Sequence, residues 1–370
     1  MNKENFQTFF DCGFSKVRAG TFNVSNKDEA FYFESEFSTD RLNTDLKIQK
    51  IIASLEKSTN EYINNINLMI DSSKMLSVGI SVCKKLDGSK LKQANIQFLV
   101  QEAKQQILKY YVNHNITHII INNYKIDGID YSYLPDEIKC DFISLDILFI
   151  CLPIDLVLYF KNIFSKSNIL INQVICSSYA KSINYKDNLN LSGQMSFIDV
   201  GFNRTSVISY FNDKILSLDV LPVGGNHITK DISQILLIDL EQSEQIKLNF
   251  AQNLKLLNDE DLSIETLQKI IFARTEEILE LCGKSLVSNT YNKLSKFKMV
   301  LMGEGSKILD NQHKDKISFS NDIDFLEENL EDICQSGYRF ITGLNKQEVV
   351  VIPKRQIKEG FFEKLFHFFS

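Results

Sequence analysis

Two stretches of this sequence share one pattern: Phe10-Asp11-Cys12-Gly13-Phe14-Ser15-Lys16 near the start and Ile198-Asp199-Val200-Gly201-Phe202-Asn203-Arg204 in the middle. Each stretch ends an apolar run and is followed by residues of alternating polarity. This is the pattern of a strand, a tight turn and a second strand. The repeat therefore predicts two similar halves, each of which presents an aspartate and the backbone N–H groups of a turn to a shared cleft.

Turns of this kind bind phosphate through backbone N–H groups, and an adjacent aspartate can place a divalent metal. One Asp-x-Gly turn alone has little diagnostic value, whereas two matched copies indicate a common site. A third turn supports this interpretation, since the apolar run Lys298–Met302 is followed by Gly303-Glu-Gly305-Ser306 and a helical pattern. Glycines there allow a backbone to approach a nucleotide closely. The alternative is a plain strand-to-helix connection, but beside two hairpins the turn favours a nucleotide cleft.

Composition is typical of a soluble globular protein. The 370 residues, 44% of them hydrophobic and 24% charged, are enough for two or more domains. A net charge of −6 gives no reason to expect nucleic acid as a partner. Seven cysteines without a Cys-x-x-Cys pair indicate reduced core residues of a cytosolic protein. The first ten residues lack the apolar stretch of a signal peptide.

The segment from Phe142 to Phe160 resembles a membrane span, but two aspartates and a proline interrupt it. Each aspartate near a bilayer centre would cost roughly 2.5–3.5 kcal/mol. We therefore predict a buried strand at Ile147–Leu152 followed by a helix at Asp155–Ser165.

Hydrophobic periodicity divides the rest of the chain into alternating helices and strands, which indicates α/β layers. Predicted helices are Thr44–Asn65, Lys90–Asn113, a helix from Ser177, Asn226–Leu237, Ser243–Asn249, Ser263–Leu281 and Val287–Leu294. Predicted strands are Met75–Val82, His118–Ile121, Leu170–Ile175, three short strands within Met195–Leu221, and Phe297–Met302.

The two hairpins and the late glycine turn, in this order, resemble the phosphate and adenosine loops of the actin/Hsp70/sugar-kinase superfamily. Within it they resemble the FtsA family of bacterial cell-division proteins. Four further stretches are similar to that family. They are Leu221-Pro-Val-Gly-Gly-Asn226-His-Ile-Thr229-Lys-Asp231-Ile232 at the second upper subdomain, Ser243-Glu244-Gln-Ile-Lys247 at the adenosine-facing helix, Ala273-Arg274-Thr-Glu-Glu277-Ile at the subdomain 2B helix, and Cys176-Ser-Ser-Tyr179-Ala180 at the connecting segment.

The resemblance implies an α/β, actin-like two-domain fold with an inserted 1C (SHS2-type) subdomain and a C-terminal amphipathic helix. The implied boundaries are 1–73 and 153–194 for subdomain 1A, 74–152 for 1C, 195–225 for the first part of 2A, 226–296 for 2B, 297–344 for the rest of 2A and the return to 1A, 345–356 for a linker, and 357–370 for a membrane-targeting helix.

The resemblance also implies ATP and Mg²⁺ as cofactors and assigns residues to them. Asp11 and Asp199 would orient the metal, while Glu244 and Lys247 would face the ribose and base. The phosphates would be held by Gly13, Ser15, Lys16, Gly201, Arg204 and Thr205, and the adenine side would be formed by Gly303, Gly305 and Ser306.

Three departures from the family pattern predict weak ATPase activity at most. The second phosphate loop usually reads Asp-x-Gly-Gly-Gly-Thr, and here Phe202 and Asn203 add bulk and restrict the backbone. Arg204 offers the phosphates a positive charge instead. The connecting segment Asn172–Asn184 contains no Asp or Glu to orient an attacking water, and Glu304 stands where a small residue would face the adenosine. We therefore assign no catalytic residue.

The C-terminal tail is a separate signal. Five of the 27 phenylalanines lie in the last ten residues, and the stretch from Lys354 to Ser370 has a net charge of about +2. A short helix that is basic at its entry and aromatic on one face lies in a bilayer interface. The alternative is a terminal helix docked on the domain's own core. The predicted apolar face consists of Ile357, Phe361, Phe362, Leu365, Phe366, Phe368 and Phe369.

As a relative of FtsA, the protein would anchor filaments of the tubulin-like protein FtsZ to the cytoplasmic face of the inner membrane as a peripheral protein. Arg274 and Glu277 would receive the C-terminal peptide of FtsZ, although they also form a plain i, i+3 pair. Further division proteins would bind subdomain 1C, and the chain would self-associate into filaments. The alternatives are a PilM-type pilus-assembly protein and a phosphotransferase of the sugar-kinase superfamily, which would need a catalytic Asp base that the sequence does not indicate.

Overall fold

The computed structural model describes residues 5–26, 28–37, 43–135, 138–251, 264–289, 298–308 and 322–343. The strands are β1 (Phe6–Cys12), β2 (Lys16–Asn23), β3 (Ala30–Glu36), β4 (Asn65–Ile70), β5 (Leu76–Lys90), β6 (His114–Ile126), β7 (Ile129–Tyr131), β8 (Lys139–Pro153), β9 (Leu170–Cys176), β10 (Gln194–Val200), β11 (Thr205–Phe211), β12 (Lys214–Leu221), β13 (Lys298–Met302) and β14 (Asp322–Phe325). The helices are α1 (Thr44–Thr59), α2 (Gln93–Tyr110), α3 (Ile154–Ser165), α4 (Ser177–Asn188), α5 (Gly225–Leu236), α6 (Leu240–Ala251), α7 (Ile264–Asn289) and α8 (Leu330–Thr342), with a short 3₁₀ helix at Glu304–Ile308.

Two five-stranded sheets repeat one topology. The first has the order β3-β2-β1-β4-β9 and the second has the order β12-β11-β10-β13-β14. In each sheet three strands form an antiparallel meander, and two parallel strands continue from its first member. The predicted α/β class and the two similar halves are therefore confirmed.

The repeated hairpin has the same register in both sheets. Cys12 pairs with Val17 in the first hairpin, and Val200 pairs with Thr205 in the second. Each hairpin thus closes with a four-residue loop, at 13–16 and at 201–204. The strands that lead into these loops are held by buried apolar side chains such as Phe10 and Phe197, so the loops stand on fixed supports.

A third sheet, of order β5-β8-β6-β7, is inserted between β4 and β9. It has its own hydrophobic core, to which α2 contributes. The apolar stretch that resembles a membrane span forms β8 and α3, with Ile147–Leu152 buried as predicted. None of the described helices is both long enough and apolar enough to span a bilayer. The position of the inserted sheet agrees with the expected 1C subdomain, whereas its identity and the subdomain boundaries stay predictions.

Several helix boundaries differ from the sequence-based ones, and two of the differences have a clear physical reason. Helix α1 ends at Thr59 because Asn60 adopts a left-handed conformation (φ 53°), and the last predicted residue, Asn65, begins β4. Helix α7 is continuous through Gly283, where the hydrophobic pattern predicted a break. Cys282 and Leu286 on either side of that glycine are buried in the core of the second sheet, so tertiary packing overrides the low helix propensity of glycine.

Helix α8 returns the chain to the first sheet, where it packs on β1 and β2. The contact is close, since a Cβ atom on Gly337 would lie 2.5 Å from the sulfur of Met69. A Cβ on Gly20 would likewise lie 2.7 Å from the Cβ of Cys334. The predicted linker 345–356 and amphipathic helix 357–370 lie outside the described residues.

Candidate functional site

A cavity of about 810 Å³ lies where the two hairpins face each other. Helix α6 and the 3₁₀ helix complete its walls. Residues far apart in sequence are thereby brought to one place, as the repeated hairpins predicted. Of the predicted site residues, those that line the cavity are Ser15, Lys16, Gly201, Glu244, Lys247, Gly305 and Ser306, whereas Asp11, Gly13, Asp199, Arg204, Thr205 and Gly303 do not line it.

The tips of the two hairpins touch through aromatic rings. Phe14 and Phe202, each the second residue of its loop, stack with centroids 5.4 Å apart and planes at 10°. Such a pair contributes about 0.5–1.5 kcal/mol beyond the area it buries. The bulk that Phe202 adds to the second loop is therefore used to join the two halves of the molecule.

Helix α6 contributes a buried cation to the cavity wall. The Lys247 ammonium donates to Glu244 Oε2 at 2.5 Å, to Thr229 Oγ1 at 2.9 Å and to the carbonyl of Gly225 at 3.2 Å. Burial lowers the pKa of Lys247, an effect that Glu244 opposes. Lys247 and Glu244 therefore form a polar pair at the face predicted to meet a ribose and base.

The glycine turn after β13 packs against the second hairpin. Gly303 has φ +90°, and a Cβ there would lie 2.5 Å from the carbonyl oxygen of Val200. Gly303 is therefore required by close packing on β10, while Gly305 lines the cavity. Glu304, which replaces a small residue of the family pattern, is paired with Arg18 at 2.7 Å and with Lys307 at 3.0 Å.

Asp199 is buried behind the cavity and is bonded to two cations. The Lys181 ammonium lies 3.1 Å from Oδ1, and the Arg204 guanidinium lies 3.1 Å from Oδ2. Burial alone would raise the pKa of Asp199, but Lys181 and Arg204 lower it to about 2. The carboxylate is therefore ionised and fully paired.

Each of these cations bridges to a second carboxylate. Arg204 also pairs with Asp71 and donates to the Ser206 hydroxyl at 2.8 Å. Lys181 also lies 3.1 Å from Glu328 Oε1. Burial raises the pKa of Glu328, although Lys181 opposes this. Arg204 thus points its charge into the protein's own acidic groups, and its predicted contact with phosphate stays a prediction.

The aspartate of the first hairpin is engaged in a comparable way. Asp11 lies opposite Arg18 in the β1–β2 register, and the Arg18 Nη1 atom is 3.4 Å from Asp11 Oδ2. The hydroxyl of Ser177 donates to Asp11 Oδ1 at 2.7 Å, and the backbone N–H of Ser178 donates to Asp71 at 2.9 Å. The first turns of α4 therefore contact the carboxylates of three different strand ends.

Sequence reasoning missed five of these residues: Arg18, Asp71, Ser177, Lys181 and Glu328. Asp71 carried a signal, because it directly follows the apolar strand β4, which is parallel to β1. Arg18 could also have been found from the sequence, because the predicted hairpin makes it the cross-strand neighbour of Asp11. The position of Glu328 depends on the tertiary fold alone.

This donor set does not suit Mg²⁺, which needs near-octahedral oxygen ligands and keeps several of its waters. Both oxygens of Asp199 and both oxygens of Asp11 already accept bonds from the protein. Within the described ranges, no group of three or more His, Cys, Asp or Glu side chains is arranged to hold a metal ion. Arg18, Lys181 and Arg204 pair with these carboxylates in this structure, and the sequence-based assignment of Mg²⁺ to Asp11 and Asp199 stays a prediction that this pairing disfavours.

Thr205 fixes the second loop to the segment that follows β12. Its hydroxyl donates to the carbonyl of Val223 at 2.8 Å, and its side chain is fully buried. The N–H groups of Gly225 and Asn226 donate to the loop carbonyls of Gly201 and Phe202 at 3.0 and 2.7 Å. The hydroxyl of Thr205 is therefore used within the protein, and its predicted contact with phosphate stays a prediction.

The predicted partner residues lie on α7, away from the cavity. Arg274 forms a bidentate ion pair with Asp231 of α5 through Nε at 2.6 Å and Nη2 at 2.9 Å. Its Nη1 atom donates to Glu277 at 2.5 Å, the expected i, i+3 contact. Arg274 therefore holds two helices together while about a quarter of its side chain remains exposed.

Two α/β domains of one topology around a cleft, with a third sheet inserted in the first domain, define the actin-like fold, and the chain has this fold. It is similar to a solved structure described as the PilM–PilN type IV pilus biogenesis complex, with a TM-score of 0.63 and 13% identity over 88% of this chain and 89% of that chain. This likeness shows the fold alone.

Sequence comparisons show which proteins the chain is similar to. The family model for Cell division protein FtsA matches residues 196–311. Cell division protein FtsA of Buchnera aphidicola subsp. Schizaphis graminum is 25% identical over 268 residues, which are 68% of this chain and 61% of that protein. The protein of the same name in Buchnera aphidicola subsp. Acyrthosiphon pisum is 23% identical over 351 residues, 83% of this chain and 82% of that protein. The first match spans less than two thirds of the relative's own length. The predicted resemblance to FtsA is confirmed.

Proposed function

We propose that this chain is an actin-like adaptor of bacterial cell division that binds an adenine nucleotide in its cleft and links FtsZ filaments to the inner membrane. The observation that carries the proposal is the meeting of two equivalent hairpins at one cavity of about 810 Å³, in a chain that resembles FtsA. A cavity of this size accommodates a nucleotide-sized ligand. The residues that would contact ATP are Ser15, Lys16, Gly201, Glu244, Lys247, Gly305 and Ser306.

The adaptor role is favoured over fast hydrolysis. An attacking water needs a carboxylate that is free to orient it. Asp11, Asp71 and Asp199 each accept bonds from Arg, Lys or Ser side chains. A phosphotransferase of the sugar-kinase type would need such a group as its base, so the same contacts disfavour that alternative.

The partner surface would lie on α7 and α5. Arg274 offers planar, bidentate recognition of carboxylates, and its exposed fraction leaves it accessible to an acidic peptide such as the C terminus of FtsZ. Glu277 and Asp231 orient the guanidinium. Further division proteins would bind the inserted sheet, and filament formation would present many copies to one membrane.

The membrane anchor would be the segment Ile357–Ser370. Its apolar side chains and basic entry suit the interface of an anionic bilayer. One such tail holds a monomer weakly, whereas an array on a filament binds strongly because its effective concentration is high. Attachment would therefore depend on assembly.

The test is flotation of FtsZ filaments with anionic vesicles. We expect FtsZ to float only when the full chain is present, and the double variant Phe361→Asp, Phe368→Asp to leave it in the soluble fraction. The same variant should melt at the wild-type temperature, because the changed residues serve the bilayer. Failure of the wild type to bring FtsZ to vesicles would refute the adaptor role and would favour a PilM-type pilus function. Equal flotation of both proteins would show that the tail is a docked helix.

A further inference from the structure

We propose that the cleft takes its nucleotide free of divalent metal, with Arg204 and Lys181 permanently in the place of the ion. This inference rests on the proposed nucleotide site and concerns the form of ligand that the site accepts. It starts from the contacts of Asp199, whose two oxygens are each 3.1 Å from a cation of the protein.

Every carboxylate of this group lies beside a cation of the protein, and Arg18 is also shared with Glu304 at 2.7 Å. Arg204 joins Asp199 to Asp71, Lys181 joins Asp199 to Glu328, and Arg18 lies beside Asp11. Three cations thus serve four carboxylates. A divalent ion at Asp199 would have to displace the ammonium and the guanidinium or lie beside both, and like charges in a poorly solvated site repel strongly.

There is also little room for a hydrated ion. The side chains of Asp199, Asp11 and Lys181 are 2%, 9% and 7% exposed. Mg²⁺ in nucleotide sites normally keeps several waters, which need solvent-accessible space between metal and carboxylate. That space is taken here by the side chains of Lys181 and Arg204.

The phosphates would instead meet the cavity side of the hairpins. The Phe14–Phe202 stack occupies the gap between the loop tips. Besides the buried Lys247, the cations that line the cavity are Lys16, with 22% of its side chain exposed, and Lys307, with 48% exposed. Without a metal, Lys16 and Lys307 would supply positive charge to a polyphosphate in place of their present partners Glu36 and Glu304, and nearby hydroxyls would donate hydrogen bonds.

Arg204 is the position to change. It lies five residues after Asp199, where the family pattern has Thr, so Arg204→Thr removes the internal cation and restores the pattern at this position. Arg204→Lys is the matched control, because it keeps a positive charge near Asp199. Both variants are compared with the wild type as full chains, with folding checked by circular dichroism.

The experiment titrates a fluorescent ATP analogue into each protein in excess MgCl₂ and in excess EDTA. We expect the wild type to bind equally in both buffers. Arg204→Thr should bind more weakly in EDTA than in MgCl₂ by about tenfold (about 1.4 kcal/mol). Arg204→Lys should recover metal-independent binding.

Electron paramagnetic resonance of Mn²⁺ with ATP gives a second readout. The wild type should leave the Mn²⁺–ATP spectrum unchanged, and Arg204→Thr should broaden it as the metal is immobilised. Wild-type binding that is lost in EDTA would overturn the metal-free cleft and leave the proposed nucleotide function intact. Absence of binding in both buffers would overturn both. If Arg204→Thr does not fold, the wild-type comparison alone decides.

Discussion

Replacing Lys181 by Met tests the buried ion cluster directly. Methionine keeps an unbranched side chain only one atom shorter and removes the ammonium that lies 3.1 Å from both Asp199 and Glu328. Asp199 retains Arg204 as a cation. Glu328 retains only neutral donors among its described contacts, the Tyr185 hydroxyl at 2.9 Å and the Gly303 N–H at 2.7 Å. The loss of stability therefore comes mainly from Glu328, which would be buried without a cation beside it.

The expected loss of unfolding free energy is about 3–5 kcal/mol at neutral pH, which is the usual cost of removing one partner of a buried ion pair and leaving the other without its counter-ion. Burial already raises the pKa of Glu328 above its ordinary value of 4.5, and removal of Lys181 raises it further. A group whose pKa is raised on folding stabilises the protein below its unfolded pKa, and this stabilisation is lost as pH rises through the folded pKa. The deficit of the variant should therefore be smaller near pH 5 than at neutral pH.

Urea unfolding followed by circular dichroism at both pH values measures the difference. The matched control is Lys186→Met on the same helix, because Lys186 pairs with Asp187 and Asp213, which are largely exposed. That change should cost about 1 kcal/mol or less. Equal losses for the two variants, or a Lys181→Met deficit that does not change with pH, would refute the role given to Lys181.

Two further predictions concern α7 and the glycine turn. Arg274→Ala should abolish binding of an FtsZ C-terminal peptide, as measured by fluorescence anisotropy. Asp231→Ala releases the guanidinium from Asp231 and should preserve or strengthen binding of the peptide. Equal losses of affinity in the two variants would mean that the Arg274–Asp231 pair only holds α5 to α7. Gly303→Ala should destabilise the protein by about 1–3 kcal/mol, because alanine is strained at φ +90° and its Cβ would lie 2.5 Å from the Val200 carbonyl. Gly79→Ala, where a Cβ meets nothing within 4 Å, is its control, and similar melting temperatures for the two would contradict the packing described.

The parts of the fold and site that are encoded locally could be predicted from the sequence. The Asp-x-Gly hairpins combine apolar strands with a short loop, and both formed with one register. The ion cluster could not be predicted in this way. Asp71, Lys181 and Glu328 come from three different segments, and their proximity results from how β4, α4 and the chain before α8 pack.

Local sequence patterns also could not predict the contacts between the two hairpins. Phe14 and Phe202 belong to the repeated stretches, yet no spacing along the chain indicates that their rings stack. The same applies to the aspartates. The position of the two aspartates at the ends of the hairpin strands suggests a metal site. Only the three-dimensional structure shows that they form ion pairs with cations of the protein, including those on α4 and β2.

The packing of α8 on the first sheet determines which part of the protein would bear a force applied at its C-terminal side. The Phe-rich segment follows α8 in the sequence, so tension on the anchor proposed above would reach α8 through the chain. That helix packs closely on the first sheet, where Gly337 of α8 meets the side chains of Met69 and Phe9, and Gly20 of β2 meets the side chain of Cys334. If the proposed anchor and filament exist, force on the anchor would enter the protein through α8 and the first sheet, on which this helix packs.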